Sequence, residues 1–295
     1  VEEGVQVKVK YEQEIETNTT ETETETSYIV KFDKVIEYSK VGNSTALAFD
    51  WETDMVIQSV PITDFMFTEL QTDANGIVSR FSAVSPDGKM VFTFTVSQAD
   101  FGGKVSANKM KIDFELTDFP WMESFSNVAL LCDIVSEQEI EIDYDEDSLD
   151  EEMDGDTDES PSTTASDVRI SFYDAVDTIG VTPFGEYTWD DTAVVKASPG
   201  VDVDDNSTAV SRSTDEIITV VATSPADPTN TSIAFSFVGD AAQSARNILW
   251  DPEAGVGYQS EEAVGPGASS SVGSLRTLGV IAQVLVVLIA GNIFA

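Results

Sequence analysis

The hydrophobic and polar positions of this chain alternate mainly with a period of two. Such alternation is typical of half-buried β-strands, because successive side chains of a strand point to opposite faces. No long stretch has the period of an amphipathic helix. In the first half the pattern predicts nine strands, namely Val5 to Tyr11, Tyr28 to Tyr38, Thr45 to Trp51, Met55 to Val60, Phe65 to Leu70, Ile77 to Val84, Met90 to Val96, Lys109 to Leu116 and Val128 to Val135.

The same pattern resumes in the second half of the chain. It predicts strands over Val168 to Tyr173, Glu186 to Trp189, Thr192 to Val195, Glu216 to Thr223 and Ser232 to Val238. Turn signals rich in Gly, Asn, Asp and Pro separate the strands, and their spacing suits a sandwich. We therefore predict an all-β fold with one or two antiparallel β-sandwich-like domains.

One stretch, Glu16 to Ser27, alternates Glu with Thr and allows two interpretations. It could form the exposed face of a strand pair or a solvated connection. The connection is favoured because identical charges repel one another on one strand face.

Changes in composition divide the chain into five parts. We predict a first β-rich part at 1–136, a disordered acidic segment at 137–166, a second β-rich part at 167–258, a Gly- and Ser-rich linker at 259–274 and a hydrophobic membrane-anchor helix at 275–295.

Two kinds of anchor are open for the last part, which carries no charge from Leu278 onward. The small residues at 267–271 and the short polar spacer after them resemble a glycolipid-anchor signal, which is favoured. A single-pass helix is the alternative, although such a helix is normally followed by cytoplasmic Lys or Arg.

The charge balance is strongly acidic. Fifty-four acidic residues against fifteen basic ones give a net charge of −39, so nucleic acid is excluded as a partner. The expected partners are calcium ions, calcium carbonate mineral and basic matrix proteins. The chain has no histidine and one cysteine, which excludes histidine-based triads and the usual zinc sites. We predict that it is not an enzyme, since no acidic pair stands out for two-carboxylate chemistry.

The densest chemical feature is the acidic run from Glu137 to Glu159, which has fourteen carboxylates in 23 residues. Its first half alternates, which in a strand would place carboxylates about 7 Å apart on one face. Such spacing lies inside the screening length of about 8 Å, so divalent cations would relieve the repulsion. We expect weak, multi-site Ca²⁺ binding at Asp143, Asp145, Glu146, Asp147, Asp150, Glu151, Glu152, Asp154, Asp156, Asp158 and Glu159.

An EF-hand is a sharper alternative for the same residues. Asp143, Asp145 and Asp147 occupy its first, third and fifth loop positions. However, Ser148 stands where the turn needs Gly, and Asp154 stands where a bidentate Glu belongs, so the loose arrangement is favoured.

Two further features bear on location. Sequons at Asn18, Asn43, Asn206 and Asn230 predict glycosylation and an extracellular face. Cys132 lies in an apolar run, which predicts a buried, inert thiol in a strand; an intermolecular disulfide is the alternative.

Several segments around the acidic run resemble a known family. They are Asp118 to Trp121, the apolar strand at Leu130 to Cys132, Gly180 to Trp189 and Trp250 to Pro252. Over roughly residues 110–258 the chain is similar to the acidic skeletal organic matrix proteins of stony corals, which include the skeletal aspartic acid-rich proteins. The resemblance implies a secreted protein of the skeletal matrix that binds calcium and influences carbonate deposition. This chain has one mixed Asp and Glu run instead of long Asp tracts, which favours Ca²⁺ binding over direct nucleation.

Two rival functions remain open at this point. A surface glycoprotein of a halophile would also be acidic over its whole exterior, and an adhesion-type ectodomain would use the acidic run as a linker.

Overall fold

The computed structural model describes residues 4–16, 21–41, 47–97, 109–136, 140–145, 167–174, 185–196, 215–225, 232–243, 245–256 and 280–285. Almost all of these residues belong to strands, and a 3₁₀ turn at Asp240–Ala242 is the one helical element among them. The strands are β1 Val5–Glu16, β2 Glu21–Ser39, β3 Met55–Pro61, β4 Met66–Phe67, β5 Gln71–Thr72, β6 Val78–Val84, β7 Met90–Ser97, β8 Lys109–Thr117, β9 Asn127–Ser136, β10 Ile140–Asp145, β11 Asp167–Asp174, β12 Gly185–Asp190, β13 Thr192–Val195, β14 Glu216–Thr223, β15 Ser232–Val238, β16 Asn247–Trp250, β17 Glu253–Val256 and β18 Val280–Leu285.

The alternation in the sequence sets which face of each strand is buried. In β8, every second residue is buried, and the residues between them are partly exposed. The buried members of β8 are Met110, Ile112, Phe114 and Leu116. The predicted all-β, antiparallel fold is confirmed.

The order of strands in the sheet does not follow the chain. One stretch runs β18, β1, β2, β9, β15, β14, β13, with every neighbouring pair antiparallel. β13 pairs with β16, β16 and β17 both pair with β8, and β8 pairs with β7. The parts of the chain before and after the acidic run therefore contribute interleaved groups of strands to one sheet.

This sheet curls so that its buried face encloses a single main core. Phe114 of β8 and Phe237 of β15 have ring centroids 6.2 Å apart, although three strands separate β8 from β15 in the sheet. The Tyr28 side chain of β2 also reaches across the core, to β12 and β17. Its hydroxyl lies 2.7 Å from the Glu186 carbonyl and 2.8 Å from the Gly255 carbonyl, and it accepts a hydrogen bond from Gly255 N.

The structure differs from the sequence predictions in three β regions. The strand predicted at Thr45 to Trp51 is wrong over its described residues 47–51, because Asp50 accepts hydrogen bonds from Glu52 N and Thr53 N and so folds the chain into a turn. The connection favoured at Glu16 to Ser27 is wrong, because β2 begins at Glu21 and pairs with β1 as far as Glu16. Alternating Thr favours strands, and pairing with β1 stabilises the extended chain. The predicted strand Phe65 to Leu70 is also shorter, since only Met66–Phe67 pair with β6 and Gln71–Thr72 form a separate short strand.

Two predicted segments are described only in part. Within 275–295, where a helix was expected, Val280–Leu285 form strand β18 beside β1; their Val and Ile content favours strands. Within 137–166, Ile140–Asp145 form β10. The linker 259–274 lies outside the described residues. Among the described residues no helix has the length and apolar character needed to cross a bilayer.

Candidate functional site

The distal part of the β1 and β2 hairpin carries a ladder of glutamates. The strand register places Glu12 opposite Glu25, Glu14 opposite Glu23 and Glu16 opposite Glu21. Directly opposed residues of antiparallel strands have Cβ atoms about 4.5–5.5 Å apart, and like charges at such positions destabilise the pairing. The two pairs that alternate with them, Gln13 with Thr24 and Ile15 with Thr22, contain no acidic residue. We call these six positions the glutamate ladder.

The acidic run is described over one strand. β10 lies antiparallel to β11, where Asp143 is opposite Ser171 and Asp145 is opposite Arg169. Asp143 and Asp145 therefore occupy alternate positions of an extended chain, as the alternation predicted. The other predicted cation ligands lie outside the described residues, namely Glu146, Asp147, Asp150, Glu151, Glu152, Asp154, Asp156, Asp158 and Glu159.

The described strand that precedes the acidic run in the sequence ends close to the glutamate ladder. β9 pairs with β2 as far as Ser136 opposite Tyr28, and Glu137, the first acid of the run, follows Ser136. The ladder begins three residues before Tyr28, at Glu25. The last described residue before Glu137 therefore lies three positions along β2 from the ladder.

Among the described residues, no group of three or more acidic or cysteine side chains is arranged to hold a metal ion. The predicted sequons Asn18, Asn43, Asn206 and Asn230 all lie outside the described residues. The predicted burial of Cys132 is confirmed. Burial also raises the pKa of its thiol well above the usual range, so the thiolate needed for reaction is disfavoured.

The outer face of β8 holds a network of paired charges. Lys111 Nζ lies 2.8 Å from Asp251 and 3.3 Å from Asp113, and Lys109 Nζ lies 2.8 Å from Glu186. Burial alone would lower the pKa of Lys111, but the two aspartates outweigh that effect and raise it. Several of the few basic residues of the chain are therefore used to neutralise acids within the fold.

A shallow groove of about 400 Å³ lies on the same face. Its lining residues are Arg80, Thr93, Asp113, Glu115, Val194, Leu249, Trp250 and Asp251. Asp113 and Asp251 are already paired with Lys111, and Arg80 lies 3.7 Å from Asp113. The groove is thus an internally compensated surface with little net charge left for an incoming cation.

A buried carboxylate organises the opposite end of β2. Glu37 lies at an inward position, two residues after the core residue Val35. Its carboxylate accepts hydrogen bonds from Gln58 Nε2 at 2.6 Å, Glu123 N at 2.9 Å and Ser126 Oγ at 2.5 Å. The amide of Met122 donates to both carboxylate oxygens, at 3.1 Å and 2.9 Å. Desolvation raises the pKa of Glu37, but these hydrogen bonds outweigh it and hold the pKa below 4.5.

These bonds fix the loop 118–126, which joins β8 to β9 and so closes one end of the core. Phe119 is buried, and Trp121 packs on the core while its Nε1 donates to the Ala245 carbonyl at 3.1 Å. Met122 and Phe125 instead face solvent, with 69% and 83% of their surfaces exposed. Phe125 also has a φ of 66°, in the left-handed region that costs energy for a side chain without a local polar group. We call the segment from Met122 to Phe125 the apolar loop tip.

Sequence reasoning missed both Glu37 and the glutamate ladder. Glu37 had a signal, because it is the one charged residue in the otherwise apolar and aromatic stretch Val35 to Tyr38. A charged side chain buried in such a strand needs hydrogen-bond partners. The ladder had a partial signal in the alternation of Glu with Thr after Glu16, but the opposition of Glu12 to Glu25 depends on the pairing register. No protein-family model matches the chain, and no curated protein matches it significantly.

Proposed function

We propose that this protein is an extracellular acidic matrix protein that binds Ca²⁺ and calcium carbonate surfaces weakly at many carboxylates, in the biomineralisation of a skeleton. The glutamate ladder is the observation that carries the proposal. Three pairs of like charges stand directly opposite one another, and no basic residue is directly opposite any of the six positions. A divalent cation between them replaces a repulsion with two attractions.

The acidic run supports the same function. It follows strand β9 in the sequence, and the last residue of β9, Ser136, pairs with Tyr28, three positions from Glu25 of the ladder. Oxygen ligands without His or Cys suit hard cations such as Ca²⁺. Individual affinities of about 10⁻⁴–10⁻³ M are typical of extracellular sites of this kind.

The remaining elements of the proposal come from the sequence. The sequons support a secreted or cell-surface location, and the apolar segment 275–295 supports a C-terminal membrane anchor. The resemblance to coral skeletal matrix proteins supports calcium carbonate mineral as a partner in addition to free Ca²⁺.

Calorimetric titration of the full chain with CaCl₂ tests the proposal. Replacing Glu12, Glu14 and Glu16 by Gln should remove a distinct fraction of the heat, because each change uncouples one opposed pair. Replacing the eleven predicted ligands of the acidic run by Asn or Gln should remove most of the rest.

A matched control uses three exposed acids away from both features, Glu52, Asp64 and Glu69, replaced by Gln or Asn. This variant loses the same formal charge but should keep the Ca²⁺ heat nearly unchanged. Equal losses in the control and ladder variants would show that Ca²⁺ responds only to net charge. No heat at millimolar Ca²⁺, together with no adsorption to calcite powder, would refute the function.

A further inference from the structure

The turn between β5 and β6 carries Asn75 and Gly76 at its exposed tip. Gly76 has a left-handed backbone with a φ of 72°, and its N–H donates to the Asp73 carbonyl at 3.0 Å. The Asp73 carboxylate accepts hydrogen bonds from Ile77 N at 2.7 Å and from Val78 N at 3.0 Å. The side-chain hydrogen bonds of this turn therefore come from Asp73, and among the described residues none holds the Asn75 side chain.

The turn between β6 and β7 has the same backbone but a different side-chain arrangement. Gly88 has a φ of 73°, and its N–H donates to the Ser85 carbonyl at 2.9 Å. Asp87, which precedes Gly88, is exposed like Asn75, but its Oδ1 accepts hydrogen bonds from Ser85 Oγ at 2.7 Å and from Lys89 N at 3.1 Å. The two turns thus differ in whether hydrogen bonds hold the side chain before the glycine.

An asparagine that precedes a glycine can react with the backbone of that glycine. The glycine nitrogen attacks the side-chain carbonyl carbon of the asparagine, a C–N bond closes a succinimide ring, and the side-chain amide leaves as ammonia with the glycine N–H proton. Water then adds to either ring carbonyl and gives aspartate or isoaspartate, so water is the one co-reactant. The asparagine side chain must be able to rotate onto the nitrogen, which the absence of a Cβ on glycine leaves accessible.

We propose that Asn75 is a site of spontaneous deamidation in the folded protein. Its side chain is exposed, and nothing lies within 4 Å of the position that a Cβ on Gly76 would take. The hydrogen bond from Gly76 to Asp73 has to open before the nitrogen can attack. β5 contributes only two paired residues, Gln71–Thr72, to this side of the turn, and exposed hairpin ends open at little cost in free energy.

The other asparagines among the described residues do not meet these conditions. Asn127 begins β9 and Asn247 begins β16, so strand pairing fixes the backbone that follows each of them. The next residues, Val128 and Ile248, are β-branched and crowd the nitrogen that would have to attack.

Deamidation would place a new carboxylate two positions from Asp73, so the chain would become more acidic with age. Isoaspartate also lengthens the backbone by one carbon atom. This should loosen the pairing of Gln71–Thr72 with β6 and leave the pairing of β6 with β7 intact. The inference does not rest on the proposed binding of Ca²⁺.

Peptide mapping of the aged full chain tests the proposal. The protein is incubated in mildly alkaline buffer, and its peptides are followed by mass spectrometry that distinguishes asparagine, aspartate and isoaspartate. The matched comparison is Asp87→Asn, which creates a second asparagine before a glycine in the equivalent turn. The Oδ1 of that asparagine can keep the hydrogen bonds from Ser85 and Lys89.

We expect position 75 to convert several-fold faster than position 87 of the Asp87→Asn variant, while positions 127 and 247 remain asparagine. Adding Ser85→Ala to Asp87→Asn should bring the two rates closer together, and Gly76→Ala should slow the conversion at position 75. Equal rates at positions 75 and 87 in Asp87→Asn would overturn the role of the unheld side chain. Asparagine retained at position 75 in the folded protein, but lost there in the urea-unfolded protein, would overturn the proposal as a whole.

Discussion

The rings of Phe32 and Phe92 lie with their centroids 4.7 Å apart, although their strands are far from each other in the sheet. Going from β2 to β7 along the hydrogen-bonded order passes through β9, β15, β14, β13, β16 and β8. The contact therefore exists because the sheet curls on itself. Side chains from its two halves interdigitate in one core, as in a sandwich.

Phe92→Ala should destabilise the fold strongly, by about 3–5 kcal/mol, the range for removing a buried aromatic side chain. Phe92 is fully buried and also contacts the rings of Phe65, Phe94 and Phe114. Urea unfolding followed by tryptophan fluorescence measures the loss. Ile217→Ala, at an exposed position, should change the free energy of unfolding by less than about 0.5 kcal/mol; similar losses for both variants would contradict the curled core.

Two buried tyrosines, Tyr28 and Tyr187, allow the contribution of a hydroxyl's hydrogen bonds to stability to be measured apart from that of ring packing. Tyr28→Phe should cost about 1–2 kcal/mol, because it leaves the carbonyls of Glu186 and Gly255 and the amide of Gly255 without the hydroxyl that joins β2 to β12 and β17. Tyr187 is equally buried, but within the described part of the chain its hydroxyl has no hydrogen-bond partner. Tyr187→Phe should therefore be neutral or slightly stabilising. Thermal denaturation of both variants tests this prediction, and an equal loss of Tm in the two variants would argue against the bridging role of Tyr28.

The buried carboxylate of Glu37 should make stability depend on pH. Glu37→Gln should cost about 1–3 kcal/mol near neutral pH, since charge-assisted hydrogen bonds to Ser126, Glu123 and Met122 are lost. The folded pKa lies below the ordinary value of 4.5, so the stabilisation is complete above that value and is lost as the pH falls through the folded pKa. The difference between wild type and variant should therefore shrink between about pH 5 and pH 2.

Chemical denaturation across this pH range provides the measurement. Glu123→Gln, which neutralises an exposed carboxyl in the same loop, serves as the control and should show little difference at any pH. A gap between wild type and Glu37→Gln that stays constant down to pH 2 would contradict the assigned role.

Salt should stabilise the fold without being essential to it. A net charge of −39 raises the free energy of the compact state by self-repulsion, which KCl screens. We expect Tm to rise modestly with KCl and to rise further with CaCl₂ at equal ionic strength. Unfolding at low KCl would instead favour the halophile interpretation, and identical effects of the two salts would weaken the calcium proposal.

The sequence determined the strands because the period of two is a local property of the pleated backbone. The bounds predicted for β13, β14 and β15 agree with the structure, and β8 differs by one residue. The all-β class and the burial of Cys132 follow from the same local signal.

Only the tertiary structure decided which strands became neighbours. Nothing in the local pattern places β15 beside β9 or β16 beside β8, because such pairing depends on contacts between residues about a hundred positions or more apart. The glutamate ladder and the loop fixed by Glu37 arise from that long-range arrangement: a register shift of one residue in the hairpin would move Glu14 away from Glu23. The sequence therefore specified the residues of the glutamate ladder and of the apolar loop tip, and the curled sheet placed these two groups at opposite ends of β2.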